Sequence, residues 1–401
     1  MNRNDSGRFA ARPVFSIGTQ SRYSVWVVLS LLMGGLFGLP ARGQSPEDSS
    51  AVVKAPAIDE ILVEALSASE IPGAVAAIAR VDQPIRIGCA GLRHFNNKEP
   101  LTIDDRMHIG SCTKAMTATL IGRLVDQGRL DWDSTLAQCL PDLAAEIHPD
   151  YRPVTIQQLL MHRSGMPAQA VNWWNSRGRT VVEKRRSIAI ESLAHQPEKA
   201  PGTEYHYSNL GYMVAGLMAA HQAESTWEEL MQQELFDPLE MKTAGFGSPG
   251  PRGSLDHPWG HRSLPGGLMA VQSDNAPVLG PAGTVHCSMS DWAQFAKVHM
   301  DSRHPLITES TRQHLHAISK ELKSAGQKYA LGWGVSRRRW SAGPVLSHSG
   351  SNTLWYCKIF IAPNEQVAYM VAANIANPET PQELDGVVKK LIALEAGQRS
   401  E

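Results

Sequence analysis

The sequence is short of most features that announce a special environment, and each shortage removes a class of answers. Only five cysteines occur in 401 residues: Cys89, Cys112, Cys139, Cys287 and Cys357. They are too few and too scattered to staple a disulfide scaffold, and their odd number leaves at least one unpaired. No C-x-x-C and no H-E-x-x-H is present, so neither a zinc ribbon nor a zincin site is written here. His257 and His261 are four apart, but Pro258 and Gly260 break the helix that would place them on one face. They read as surface histidines in a loop. An excess of one charge is also missing, since 38 Lys and Arg stand against 39 Asp and Glu for a net charge of -1. No whole-protein field draws the chain to nucleic acid or another polyanion. There is no internal repeat. A composition of 42% hydrophobic, 19% charged and 6% aromatic residues suits a protein with a large buried core and excludes a disordered, collagen-like or multi-span chain.

The first 43 residues differ from the rest. Arg3, Arg8, Arg12, Arg22 and Arg42 face a single acid, Asp5, so this stretch carries +4 and the remainder about -5. An apolar run over 25–39 leads to Pro40 and Ala41-Arg42-Gly43, whose small residues two apart suit a signal-peptidase cut before Gln44. At 15 residues, with Gly34, Gly35 and Gly38 inside it, the run is short for the ~20 that span a bilayer. Residues 1–43 are expected to be a signal peptide and the mature protein to be periplasmic or secreted. Anchoring to the membrane through an uncleaved N-terminus is the alternative.

Residues 44–54 are expected to form a polar tether, and 55–396 a single folded domain. Helical apolar spacing begins over 58–66. Strand-like runs follow at 74–79 and 85–90, separated by Asp82-Gln83-Pro84, which predicts a hairpin. From about 109 to 245 the signals are mainly helical. A loop-rich stretch dense in Gly, Pro and Ser covers 245–281, and helix resumes near 290–300. Strand-like runs return at 329–335, 345–347, 354–361 and 367–373, before an amphipathic helix over 381–396. Strands at both chain ends with helices between them predict an α/β fold: an antiparallel sheet built from both chain ends, flanked by helices, with a large helical insertion.

The chemistry begins at Gly110-Ser111-Cys112-Thr113-Lys114, where the serine opens a helix marked by Met116, Leu120, Leu124 and Val125 and closed by Gly128. Ser111 and Lys114 lie one turn apart on one face, where an amine can approach a hydroxyl. Serine attacks only when a base takes its proton. A lysine serves only when neutral, so its pKa must fall from ~10.4 toward 7, about 4 kcal/mol of differential stabilisation by burial and positive neighbours. The helix N-terminus adds partial positive charge beside a developing oxyanion. A chain of this length contains about one S-x-x-K by chance, so the pair needs company. Tyr207-Ser208-Asn209 presents a phenol and an amide before the apolar helix at 210–218. His348-Ser349-Gly350 ends a strand-like run, and Ser351 starts the next connection, where the glycine lets a backbone N–H approach a substrate.

In this order the elements resemble the serine β-lactamase and penicillin-binding protein superfamily. The resemblance is to its class C-like branch, which includes D-alanyl-D-alanine carboxypeptidases, D-aminopeptidases and esterases. It runs from about residue 58 to 394. It includes Val154-Thr155-Ile156-Gln157-Gln158-Leu159-Leu160 with His162-Arg163-Ser164-Gly165, then Pro201-Gly202, residues 241–247, Pro281-Ala282-Gly283-Thr284 and Leu331-Gly332-Trp333-Gly334.

The resemblance implies that Ser111 is the acylated nucleophile and Lys114 its partner in proton transfer. It makes Tyr207 a second base acting on the leaving group and on the hydrolytic water, and leaves open whether Lys114 or Tyr207 is the acylation base. Asn209 orients the substrate amide. His348 stands where class C β-lactamases have lysine, and Gly350 and Ser351 face the substrate. The N–H groups of Ser111 and Ser351 form the oxyanion hole. Histidine exchanges a fixed charge opposite a substrate carboxylate for a titratable one, lost between about pH 6 and 8 or at lower pH if the nearby Lys114 pushes the ring's pKa down, which weakens the case for efficient β-lactam hydrolysis.

The implied activity is serine hydrolysis of peptide-like amides or carboxylic esters through an acyl-enzyme, with no metal or organic cofactor and a small-molecule or peptide partner. A β-lactamase and a slow-deacylating penicillin-binding or sensor protein are the alternatives. Cys112 points about 100° from the nucleophile and reads as a packed thiol. Trp173 and Trp174 wall the substrate cleft or anchor a loop. Arg337, Arg338 and Arg339 decorate a solvated hairpin tip or grip an anion.

Overall fold

The computed structural model describes residues 50–318 and 328–398. The expected signal segment and most of the tether lie outside them. Seven strands form the central sheet in the order Val52–Lys54, Ile85–Gly91, Gly73–Arg80, Val367–Ala373, Tyr356–Ala362, Pro344–Ser351 and Gly334–Arg337. The two chain ends meet where Gly73–Arg80 pairs antiparallel with Val367–Ala373. Every pairing is antiparallel except that of Val52–Lys54 with Ile85, Arg86 and Ile87, so the end of the tether is a parallel edge strand.

Both faces of the sheet are covered, which explains why its central strands read as continuous apolar runs. Successive side chains point to opposite faces. Val75, Ala77 and Ala79 therefore enter the large core together with Met116 and Leu120 of helix Thr113–Asp126. Ala74, Ala76 and Ile78 enter a second core. That one is closed by Ile58 and Leu62 of helix Pro56–Ser67 and by Leu384, Val387 and Leu391 of helix Thr380–Gln398. Burying one such Ile or Leu contributes about 1.5–3 kcal/mol.

The helical region is stopped and started by side-chain caps. Thr135, Thr155, Thr180 and Thr226 each form a capping box with the Gln or Glu three residues on. The Thr155 and Gln158 pair accounts for the Val-Thr-Ile-Gln-Gln pattern. At its centre runs helix Asn209–Gln222, buried from Leu210 to Ala220 and capped by Ser208, whose Oγ accepts the Gly211 N–H at 2.8 Å.

Four local expectations are corrected. Strand Gly334–Arg337 begins later than the run at 329–335, because Gly332, at φ +82°, turns the chain so that Ala330 N–H meets Trp333 O at 2.8 Å. The loop-rich stretch contains a hairpin, Gly260–Leu264 with Gly267–Val271. His261 opens that hairpin fully buried rather than on the surface. Its Nδ1 lies 2.7 Å from Asn374 O, its Nε2 accepts the Phe95 N–H at 3.2 Å, and burial lowers its pKa to about 4. Finally, His348, Ser349 and Gly350 lie inside strand Pro344–Ser351 rather than at its end.

Candidate active site

Three elements converge on one hydroxyl. Ser111 sits in the 3-10 turn Gly110–Cys112 that leads into helix Thr113–Asp126, Tyr207 precedes the central helix, and strand Pro344–Ser351 runs alongside. Ser111 Oγ lies 3.1 Å from Lys114 Nζ and accepts a hydrogen bond from Tyr207 Oη at 3.0 Å. Lys114 has no solvent exposure, and its Nζ also donates to Asn209 Oδ1 at 2.6 Å and to Ala282 O at 2.7 Å. Burial lowers its pKa to about 7, and no carboxylate counters the effect. The two carbonyl oxygens take the two protons of the neutral amine and leave its lone pair to the serine hydroxyl.

The acceptors are themselves fixed. Thr117 Oγ1 holds Pro281 O at 2.8 Å, so the turn Gly280–Gly283 is fastened to the lysine's own helix. Tyr207 packs on the His162 ring at 4.2 Å between centroids. His162, buried at φ 58°, accepts the Ser208 N–H on Nδ1 at 3.0 Å. Burial pushes the Tyr207 phenol well above its ordinary pKa, which keeps the proton on its oxygen.

On the opposite side the backbones touch. A Cβ at Gly110, which has φ +48°, would lie 2.3 Å from Ser351 N, and one at Gly350 would lie 1.9 Å from Ile109 O. Only glycine permits this crossing, which brings the segments carrying the Ser111 and Ser351 N–H groups together.

His348 is near the hydroxyl, but not as expected. Its Nδ1 donates to Ser349 O at 2.7 Å, which leaves Nε2 to accept from Tyr329 Oη at 2.9 Å. Burial and the adjacent Lys114 lower its pKa to about 4. The downward shift expected from Lys114 is thus joined by a larger one from burial, and the ring is neutral between pH 6 and 8 with both nitrogens engaged.

Two cavities meet at Ser111. One of about 440 Å³ is lined by Tyr205, Tyr207, Tyr329, His348, Arg338 and Lys358. The other, about 640 Å³, is lined by Asn209, Trp173, Trp174, Asp274, Ser351 and Asn352. Trp173 packs partly into the core while Trp174 stays 69% exposed, so the pair anchors the loop and walls the cleft at once. Arg338 is exposed, with its guanidinium 5.8 Å from the Phe360 ring, and Lys358 is neutralised by Asp385 at 2.5 Å.

Cys112 is a packed thiol. It is buried with its Sγ 3.6 Å from Cys357 Sγ, and burial raises its pKa well above the ordinary value. All five cysteines are free. Among the described residues no group of three or more His, Cys, Asp or Glu is arranged to hold a metal ion.

Sequence reasoning passed over Tyr329, Asp274 and the roles of Ala282 and His162. The last two stood inside the Pro-Ala-Gly and His-Arg-Ser-Gly patterns, whereas Tyr329 and Asp274 carried no local signal.

Comparison with known proteins identifies the family and the fold. Residues 58–394 match the beta-lactamase family. The chain is 28% identical over 324 residues to penicillin-binding protein 4 of Amycolatopsis lactamdurans, covering 77% of this chain and 81% of that one. It is 25% identical over 334 residues to protein flp of Staphylococcus aureus strain MW2, covering 81% of this chain but only 64% of the length of flp. The solved structure of the D-amino acid amidase from Ochrobactrum anthropi SV3, complexed with L-phenylalanine amide, superposes with a TM-score of 0.68 at 21% identity. That likeness covers 85% of this chain and 99% of the amidase, and it is one of fold.

Proposed function

The chain belongs to the beta-lactamase family, and on that premise we propose that it is a serine hydrolase cleaving peptide-like amides or carboxylic esters through an acyl-enzyme. One observation carries this reading: Ser111 Oγ lies between a buried, near-neutral amine at 3.1 Å and a protonated phenol at 3.0 Å.

Lys114 is the acylation base in this reading. Its lone pair accepts the Ser111 proton as Oγ attacks the carbonyl carbon, and the oxyanion is met by the N–H groups of Ser111 and Ser351, worth about 3 kcal/mol each. As the tetrahedral intermediate collapses, Tyr207 Oη protonates the departing amine or alkoxide, and the Lys114 ammonium makes good the phenol's proton. Deacylation reverses the passage with water in place of the leaving group.

Because the leaving group takes its proton from Tyr207, it occupies the cavity Tyr207 lines, and the acyl group occupies the one lined by Asn209 and Trp174. The neutral His348 supplies no fixed charge for a β-lactam carboxylate, which favours amides and esters over β-lactams. The basic, apolar and small-residue pattern of residues 1–43 supports export, with the mature enzyme acting in the periplasm or outside the cell.

A chromogenic panel of a short-chain ester, a D-amino-acid anilide and a cephalosporin, run with a fluorophosphonate label, tests the proposal. Turnover of the ester or anilide is expected. Stoichiometric labelling with no turnover on any of the three would replace it with a penicillin-binding role.

A further inference from the structure

We propose that Asp274 is a positioning residue that sets the oxyanion hole. Its carboxylate braces the two backbone segments that carry the Ser111 and Ser351 N–H groups. The inference rests on the acyl-enzyme reading above.

One oxygen joins both segments. The Asp274 side chain is 7% exposed, and its Oδ1 accepts from Asn352 Nδ2 at 2.9 Å and lies 2.7 Å from His108 Nε2. His108 is wholly buried, and its Nδ1 accepts the Gly110 N–H at 3.1 Å. With Nδ1 taken up by that bond, Nε2 is the nitrogen that faces the carboxylate, in close contact at 2.7 Å but without a well-directed hydrogen bond. From Oδ1 the path therefore runs through one side chain to the residue before Ser111. On the other side Asn352 follows Ser351 directly, and its Oδ1 accepts the N–H groups of Leu354 at 3.2 Å and Trp355 at 3.1 Å. The same amide thus closes the turn after Ser351 and reaches Asp274.

The brace is needed because of the glycines. Gly110 and Gly350 let the backbones cross in direct contact with no side chain between them, so contact limits only their closest approach and does not by itself fix how the two N–H groups are aimed. An oxyanion hole works only with donors about 2.7–3.1 Å from the oxygen, and errors well under 1 Å are costly. The loop bearing Asp274 is itself moored, since the neighbouring Asn275 donates from Nδ2 to Gly283 O at 2.9 Å. Gly283 adjoins the Ala282 carbonyl that holds Lys114.

Asp274 also lines the larger cavity, and its Oδ2 has no hydrogen-bond partner among the described residues. A rival role follows from that, recognition of an ammonium group on the substrate, and substitution separates the two. Asparagine at 274 keeps an oxygen able to accept from Asn352 and to lie against His108 but carries no charge, whereas alanine removes both.

The experiment measures kcat and KM for a neutral short-chain ester and a cationic D-amino-acid anilide, with the Kd of phenylboronic acid as a tetrahedral mimic. In Asp274→Ala, kcat on both substrates should fall about 10- to 100-fold with KM within threefold, and boronate affinity should fall in proportion. Asp274→Asn should restore most of it. Asn352→Ala should reproduce the kcat loss, which keeps the proposal testable if Asp274→Ala does not fold. Unchanged ester kcat in Asp274→Ala overturns the brace while leaving the hydrolase reading intact. A KM increase confined to the anilide and equal in the Asn and Ala variants assigns Asp274 to ammonium binding instead. A parent enzyme that turns over neither substrate overturns both readings.

Discussion

Tyr329 Oη donates to His348 Nε2 at 2.9 Å, and this one contact changes what the third active-site element offers a substrate. A histidine whose Nδ1 is already committed to Ser349 O gains a second fixed partner, so protonating Nε2 would require the phenol to turn away. The ring is a neutral wall of the cavity that Tyr207 also lines.

Affinity for an anionic substrate should therefore be flat where a histidine normally titrates. With the His348 pKa lowered to about 4, the ring is already neutral at pH 6 and stays so at pH 8. KM for an anionic ester, referred to that of a neutral one, should not change across this window. In His348→Lys the anionic ester should gain affinity relative to the neutral one. A KM that climbs severalfold for the anionic substrate alone would return a titrating cation to this position.

Rate should instead follow Lys114. Its pKa of about 7 lies below the ordinary lysine value because the amine is buried, and only the neutral form accepts the Ser111 proton. Acylation, read as kcat/KM, should rise with pH through about 7 and then level, and Lys114→Ala should remove the limb with a loss of about 10²–10⁴-fold. Stopped-flow acylation at pH 5.5 to 9 checks this. Tyr207→Phe should lower turnover by about 10²-fold while keeping the same limb, since its phenol remains protonated over that range.

Much of this was legible in the residues, and the reason differs from part to part. Strands 73–80 and 367–373 declared themselves because both faces are buried, which leaves an uninterrupted apolar run. Ser111 and Lys114 were readable because one helical turn fixes their relation. Asn209 was half-readable. It lines the larger cavity at the site, but its Oδ1 is taken up by Lys114. Tyr329 and Asp274 were silent because their roles depend on contacts across the fold. Tyr329 reaches His348 only after the turn at Gly332, and Asp274 sits in a stretch whose Gly, Pro and Ser content carries no period. His261 misled for a related reason: its burial comes from Phe95 and Asn374, far away in sequence.

Trp174 should govern the acyl group. The Asn172 side chain accepts the N–H groups of Trp174 at 3.2 Å and Asn175 at 3.1 Å, and this turn holds the indole out at the cavity wall. Trp174→Ala should raise KM for a phenylacetyl ester about tenfold and leave an acetyl ester nearly unchanged. Thermal stability should barely move, because the ring is mostly exposed. Equal effects on the two esters would make the loop structural only.

The most direct test is where an acyl-type label lands. After reaction with a fluorophosphonate, intact-protein and peptide mass spectrometry should find one adduct on the peptide containing Ser111. It should be absent in Ser111→Ala, a variant the helix tolerates. An adduct that persists in Ser111→Ala, or that maps to Cys112, would contradict the account at its centre.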